Sequence, residues 1–144
     1  MKRFIRSTSL MLAILMILVT PAFAAEELAP RASSYFMSAS VYLHKTSATS
    51  FEAWFEVTAT HGMQKLGART VKIQRSADGS NWETIRTYSM DSYSNLTCEN
   101  TVFHGSCISY TGTPTYYYRA YVALYAKDSS GSAEWYLYTD PLKL

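Results

Sequence analysis

The chain has 144 residues, 13 Lys and Arg against 11 Asp and Glu, and aromatic side chains at 15% of positions. So even a charge balance excludes the basic footprint of a nucleic-acid binder and the polybasic block of an anionic-lipid binder. Two cysteines in such a length exclude a scaffold held together mainly by crosslinks.

Residues 1–24 read as a secretory signal peptide. Lys2, Arg3 and Arg6 form a basic start, residues 10–19 are an unbroken apolar run, and Ala22-Phe23-Ala24 is a small-x-small cleavage signature. The run falls short of the ~20 apolar residues that span a bilayer. Export with cleavage before Ala25 is expected, giving a secreted chain without a stable membrane anchor. The leader carries three of the thirteen bases and none of the acids, so the remainder holds ten against eleven. Residues 25–33 are expected to be a linker and residues 34–144 one domain.

From there a two-residue period dominates, the signature of strands with one buried face. In residues 35–44, Tyr35, Met37, Ala39, Val41 and Leu43 alternate with Phe36, Ser38, Ser40, Tyr42 and His44. Residues 47–50 read as a turn. Phe51, Ala53, Phe55, Val57 and Ala59 then alternate with Glu52, Trp54, Glu56, Thr58 and Thr60. Residues 61–67, with two glycines, read as a loop.

Residues 70–75 form a third strand, with Val71 and Ile73 on one face. Ser76-Ala77-Asp78-Gly79-Ser80-Asn81 is a hairpin turn, since Asp-Gly supplies the positive φ that tight turns need. Residues 82–88 return as a fourth strand, and residues 89–97 are polar and irregular. Cys98 and Cys107 are an isolated pair in an exported chain, for which one intramolecular disulfide is expected. Two short strands are expected to flank His104-Gly105 inside the loop it closes.

Gly112-Thr113-Pro114 is a turn. The longest strand, residues 115–127, has Tyr116, Tyr118, Ala120, Val122, Leu124 and Ala126 on one face. Tyr117, Arg119, Tyr121, Ala123, Tyr125 and Lys127 lie on the other. Residues 128–132 turn the chain and residues 133–139 close it. About seven strands with turn signals every ten residues or so predict an all-β sandwich. Its core is expected to contain Phe55, Val57, Val71, Ile73, Tyr116, Tyr118, Val122 and Leu124.

The stretch Val71-Lys72-Ile73-Gln74-Arg75-Ser76-Ala77-Asp78-Gly79-Ser80-Asn81-Trp82 resembles the C to C′ hairpin of fibronectin type III domains. The segment Tyr116-Tyr117-Tyr118-Arg119-Ala120-Tyr121-Val122 with its following turn resembles their F strand. The resemblance covers roughly half of the chain beyond the leader. It implies a single seven-stranded antiparallel sandwich of fibronectin type III or Ig-like type, with Tyr116 as the tyrosine-corner residue. The layout is also similar to that of small secreted bacterial proteins, a likeness that implies no activity.

Chemistry-bearing patterns are sparse. His44, His61 and His104 lack metal-ligand spacing, and no nucleophile-elbow motif is present. Glu52 and Glu56 flank Trp54 on one strand face, as carboxylates do in glycosidases, yet the same spacing describes ordinary solvated charge. Asn95-Leu96-Thr97 is a glycosylation sequon that matters solely in a eukaryotic secretory route. No metal or cofactor is expected.

One pattern asks for a functional account. If Val122 and Leu124 face the core, then Tyr117, Arg119, Tyr121 and Tyr125 face outward, and Trp54 does so on another strand. Such a stripe either shields the sheet by cross-strand packing or binds a protein or glycan. The expectation is a monomeric, secreted, non-catalytic module binding through that stripe. Its rivals are a small secreted enzyme or inhibitor with a site in residues 61–67 or 98–107, and a secreted toxin or bacteriocin-like protein.

Overall fold

The computed structural model describes residues 34–144, so the expected leader and linker lie outside the described residues. Seven strands are antiparallel throughout: β1 (Phe36–Lys45), β2 (Ser50–Ser76), β3 (Glu83–Ser89), β4 (Thr97–Thr111), β5 (Tyr117–Lys127), β6 (Ser132–Tyr138) and β7 (Leu142–Lys143). A single 3₁₀ turn, Ser94–Leu96, precedes β4.

The all-β class holds, but the fibronectin type III or Ig-like sandwich does not. Every strand belongs to one hydrogen-bonded sheet, curled into a half-barrel. The cause is β2, whose 27 residues continue through the segment that reads as a loop. Its first part pairs with β1 and β4, its middle with β4 and β5, and its last part with β3 and β5. The ladder therefore never breaks where two separate sheets would part: Leu66 stands opposite Cys98 on one side and Ala126 on the other.

A strand of this length spans roughly 90 Å if flat, so it bends at bulges. Between Thr58 and Met63, β2 advances five residues while β4 advances two, from Phe103 to Thr101. A second shift falls between Ala68 and Thr70 against β5. Each adds unpaired residues to one strand and increases local twist. A further bulge in β1, between Phe36 and Ser38, reverses the alternation expected there: Phe36 is buried and Met37 is 67% exposed.

Gly67 reads as a loop glycine, and its use is different. With φ +151°, it sits where a Cβ would lie 2.1 Å from the Leu96 carbonyl oxygen and 2.8 Å from the Thr97 Cα. The missing side chain lets the 3₁₀ turn press backbone to backbone on β2, a known use of strand glycine.

The expected disulfide is also corrected. Cys98 and Cys107 are free thiols on the same strand, β4, opposite Leu66 and Trp54 respectively. Nine residues of extended chain separate them by roughly 30 Å, whereas a disulfide needs Cα atoms within about 7 Å. There is no hairpin at His104-Gly105 to bring them together, because Gly105 pairs with Glu56 inside an unbroken strand.

The core fills the inside of the curl. Phe51, Phe55, Val57, Leu66, Val71, Ile73, Tyr118, Val122 and Leu124 are all at most 1% exposed. Seven of the eight expected core residues are buried, and Tyr116 is half-buried at the margin. The two arms of the curl meet through Phe51 and Tyr118, with ring centroids 5.2 Å apart, and through Phe36 and Trp135 at 5.8 Å.

The corner tyrosine is Tyr118, two residues beyond the expected Tyr116. Its hydroxyl accepts from the Thr113 amide at 2.7 Å and donates to the Thr113 carbonyl at 3.2 Å. The two positions share a strand face, so alternation cannot choose between them. The Gly112 turn does: a Cβ there would lie 2.7 Å from the Tyr118 ring.

Candidate functional site: an aromatic and cationic sheet face

The outer face of β2, β5 and β6 is built by register. Lys72 and Gln74 of β2 stand opposite Tyr121 and Arg119 of β5, and Tyr121 stands opposite Tyr138 of β6. Tyr117, Arg119, Tyr121 and Tyr125 all take outward positions and are half-buried by their neighbours. Beside them Tyr136 is 42% and Tyr138 50% exposed.

Arg119 is the centre of this face. Its guanidinium carbon lies 4.4 Å from the Trp82 ring centroid and 4.5 Å from that of Tyr138. Its Nε donates to Gln74 Oε1 at 2.7 Å, which fixes the plane of the fork. No carboxylate lies within ion-pair distance of Arg119 among the described residues. Burial between the rings pulls its pKa down from the ordinary arginine value, yet a guanidinium keeps its charge at any physiological pH. Stacked, anchored and unpaired, it leaves its two terminal nitrogens for an acceptor.

Tyr121 continues the row. It stacks on Tyr136 at 6.0 Å with an 11° interplanar angle and tilts against Tyr138 at 5.0 Å. The Lys72 ammonium sits 5.4 Å from its centroid. Burial first, then the neighbouring Tyr138 and Glu134, raise the Tyr121 pKa, so its hydroxyl stays a neutral donor and acceptor. At the far end Glu134 accepts from the Tyr136 hydroxyl at 2.5 Å and pairs with Arg69, which lies over the Tyr125 ring. Tyr117 occupies the other end, beneath Lys143 at 5.0 Å and beside the Gly79 turn.

The structure thus brings four of the five candidate residues onto one face and separates the fifth. Trp54 lies on the outer face of the other arm, stacked on Tyr42 at 6.3 Å and 3°, with its indole donating to Glu52 at 2.9 Å. Sequence reasoning missed Trp82, Lys72, Gln74, Tyr136 and Tyr138. The alternation in Trp135-Tyr136-Leu137-Tyr138 carried a signal for the last two, but the face they occupy is set by cross-strand register.

The segments considered for a loop-borne site, residues 61–67 and 98–107, are strand. His61 donates to, or accepts from, its neighbours as a tie: its Nε2 is 2.9 Å from Asp128. His104 Nε2 is 2.9 Å from the Asn95 carbonyl. Burial, then the Glu52 charge, raise the Cys107 pKa, which keeps that thiol protonated and a weak nucleophile. No group of three or more His, Cys, Asp or Glu side chains that could hold a metal occurs among the described residues. The Asp78–Gly79 hairpin borders an open cleft of about 500 Å³, lined by Arg75, Asp78, Trp82, Glu83 and Tyr116 among others.

No family model matches this chain, and no similar chain was found among the curated proteins. Among solved structures it is similar to the sporulation control protein Spo0M from Bacillus subtilis. The identity is 11% and the TM-score 0.39, over 72% of this chain and 49% of that one, so the chain spans about half the length of that protein.

Proposed function

We propose that this chain is an exported, non-catalytic binding module that engages a protein or glycan through the β2–β5–β6 outer face. The observation that supports it best is Arg119, a cation stacked between two aromatic rings and oriented by Gln74, with no carboxylate within ion-pair distance among the described residues. Cross-strand packing alone accounts for the Tyr121 stack, but it does not call for an uncompensated cation held ready among half-exposed tyrosines. Tyr, with two rotatable bonds to freeze, and Arg, here already held by Gln74, Trp82 and Tyr138, are residue types that anchor interfaces. A row of outward residues spaced by two runs over 20 Å or so along β5, which suits an extended epitope or oligosaccharide.

The test is a screen of the secreted domain against glycans and envelope or surface proteins. For a ligand so found, Tyr121→Ala is expected to cost about 1–3 kcal/mol of binding, while the melting temperature stays near wild type. Unchanged affinity in the Tyr117→Ala, Tyr121→Ala, Tyr125→Ala triple variant would leave the tyrosines as sheet packing.

A further inference from the structure

The outer surface of the curled sheet has two arms of opposite character. On one, Lys72 and Arg119 stand among Trp82, Tyr121 and Tyr138 without an ion-pair partner among the described residues, and Glu134 at its far end is held by Arg69 and Tyr136. On the other, Glu52 and Glu56 flank Trp54, which stacks on Tyr42. Glu52 accepts from the Trp54 indole and Glu56 weakly from Ser40 at 3.4 Å, and neither has an ion-pair partner among the described residues. The basic group in register on that face is a histidine, His44, opposite Glu52. Exposed aromatic surface extends it: Tyr42 is 43% and Phe103 52% exposed.

These arms pack core to core through Phe51–Tyr118 and Phe36–Trp135. Their outer faces therefore look away from each other, and neither can neutralise the other within one molecule.

We infer that the two faces are partners across copies of this chain: the Lys72/Arg119 face of one molecule docks on the Glu52/Glu56 face of the next. This rests on the binding reading of the Arg119 face and names its occupant. It departs from the monomer that the sequence reading expects. Pairing either face with itself would set like charges together, at a cost of several kcal/mol. Pairing unlike faces brings two unpaired cations to two unpaired carboxylates inside an aromatic surround. Because the faces are unlike and point apart, the contact is heterologous and the assembly grows head to tail. With 13 bases and 11 acids, the chain has little net charge to oppose it.

Sedimentation velocity on the chain as its cell produces it tests this. Wild type is expected to form concentration-dependent oligomers that dissociate as salt rises. K72E/R119E and E52K/E56K are each expected to weaken association by roughly a hundredfold or more. An equimolar mixture of the two variants is expected to associate again, since one then presents two acidic faces and the other two basic ones. Each variant is first required to show a wild-type melting transition, so that recovery on mixing is read from folded chains. If a double variant does not fold, K72E and E56K, both at solvent-facing positions, serve in the same scheme. A wild type that stays monomeric at high concentration and low salt overturns the inference, as does a mixture that fails to associate. Neither result touches a foreign ligand whose binding falls with Tyr121→Ala, so failure here is distinct from failure of the binding reading.

Discussion

Tyr118 shows how one hydroxyl decides a corner. Its ring is 1% exposed and packs on Phe51 and Tyr110 at 5.2 and 6.1 Å, while its oxygen serves both polar groups of Thr113. Removing the hydroxyl leaves a buried amide and carbonyl without their partner, which costs about 1–3 kcal/mol. Tyr118→Phe is therefore expected to lower stability by that amount in urea unfolding. Tyr116→Phe, whose ring carries the Arg75 guanidinium at 4.7 Å by its face rather than its hydroxyl, is expected to be near neutral. Reversed outcomes would return the corner to Tyr116. The same reasoning distinguishes the outer residues: Arg119 is held by ring faces and one amide, so its position depends on neighbours from β2, β3's preceding turn and β6 together.

At the scale of elements, turns and bulges are fixed by carboxylates. Asp128 caps the β5–β6 turn, accepting from the Ser130 amide and hydroxyl at 2.7 Å each and from the Gly131 amide at 3.0 Å. Its second oxygen meets His61 from the bulged part of β2. The Ser130 hydroxyl foremost, then His61, hold its carboxyl well below the usual carboxylate range. A folded pKa below the unfolded value of about 3.9 stabilises the protein fully above that value, and the benefit fades as pH falls below it. With His61→Gln as background, so that Asp128 answers to its hydroxyl and amide donors alone, the melting-temperature gap between Asp128 and Asp128→Asn is expected to hold at pH 5–8 and to narrow progressively below about pH 4. A gap that does not change down to pH 2 would deny the cap this role. Much at this scale was legible in the sequence: the Asp78–Gly79 hairpin, the alternation of β5 and the inward set Phe55, Val57, Val71 and Ile73. What was not legible depended on contacts distant in the chain. Gly67 looks like a loop residue until the Leu96 carbonyl is seen against it, and Cys98 and Cys107 look like a bridge until β4 is found to be one strand. The outward row on β5 followed from period two, but its companions Tyr138 and Lys72 needed register.

For the molecule as a whole, β2 is the element among the described residues that pairs with β1 and β4 in one arm and with β5 in the other. A sandwich joined by a loop at residues 61–67 would leave those amides bonded to water. Here the backbone of 65–67 lies between β4 and β5, in the middle of the sheet, and Leu66 is fully buried. Opening it means separating two ladders at once and exposing the core of both arms. The Leu66 amide is therefore expected to exchange hydrogen as slowly as those of Val122 and Leu124, through global unfolding alone. Phe55→Ala, in the other arm, empties a site that is 0% exposed and is expected to cost about 3–5 kcal/mol. If the arms form one cooperative unit, that loss should appear undiminished in the exchange of Leu66 and Leu124, and the urea transition should stay single by every probe. A fast-exchanging Leu66, or a Phe55→Ala variant that loosens the β1–β2–β4 arm while leaving β5 protected, would mean that the sheet is divided at the bulge and that the long strand does not join the two arms into one cooperative unit.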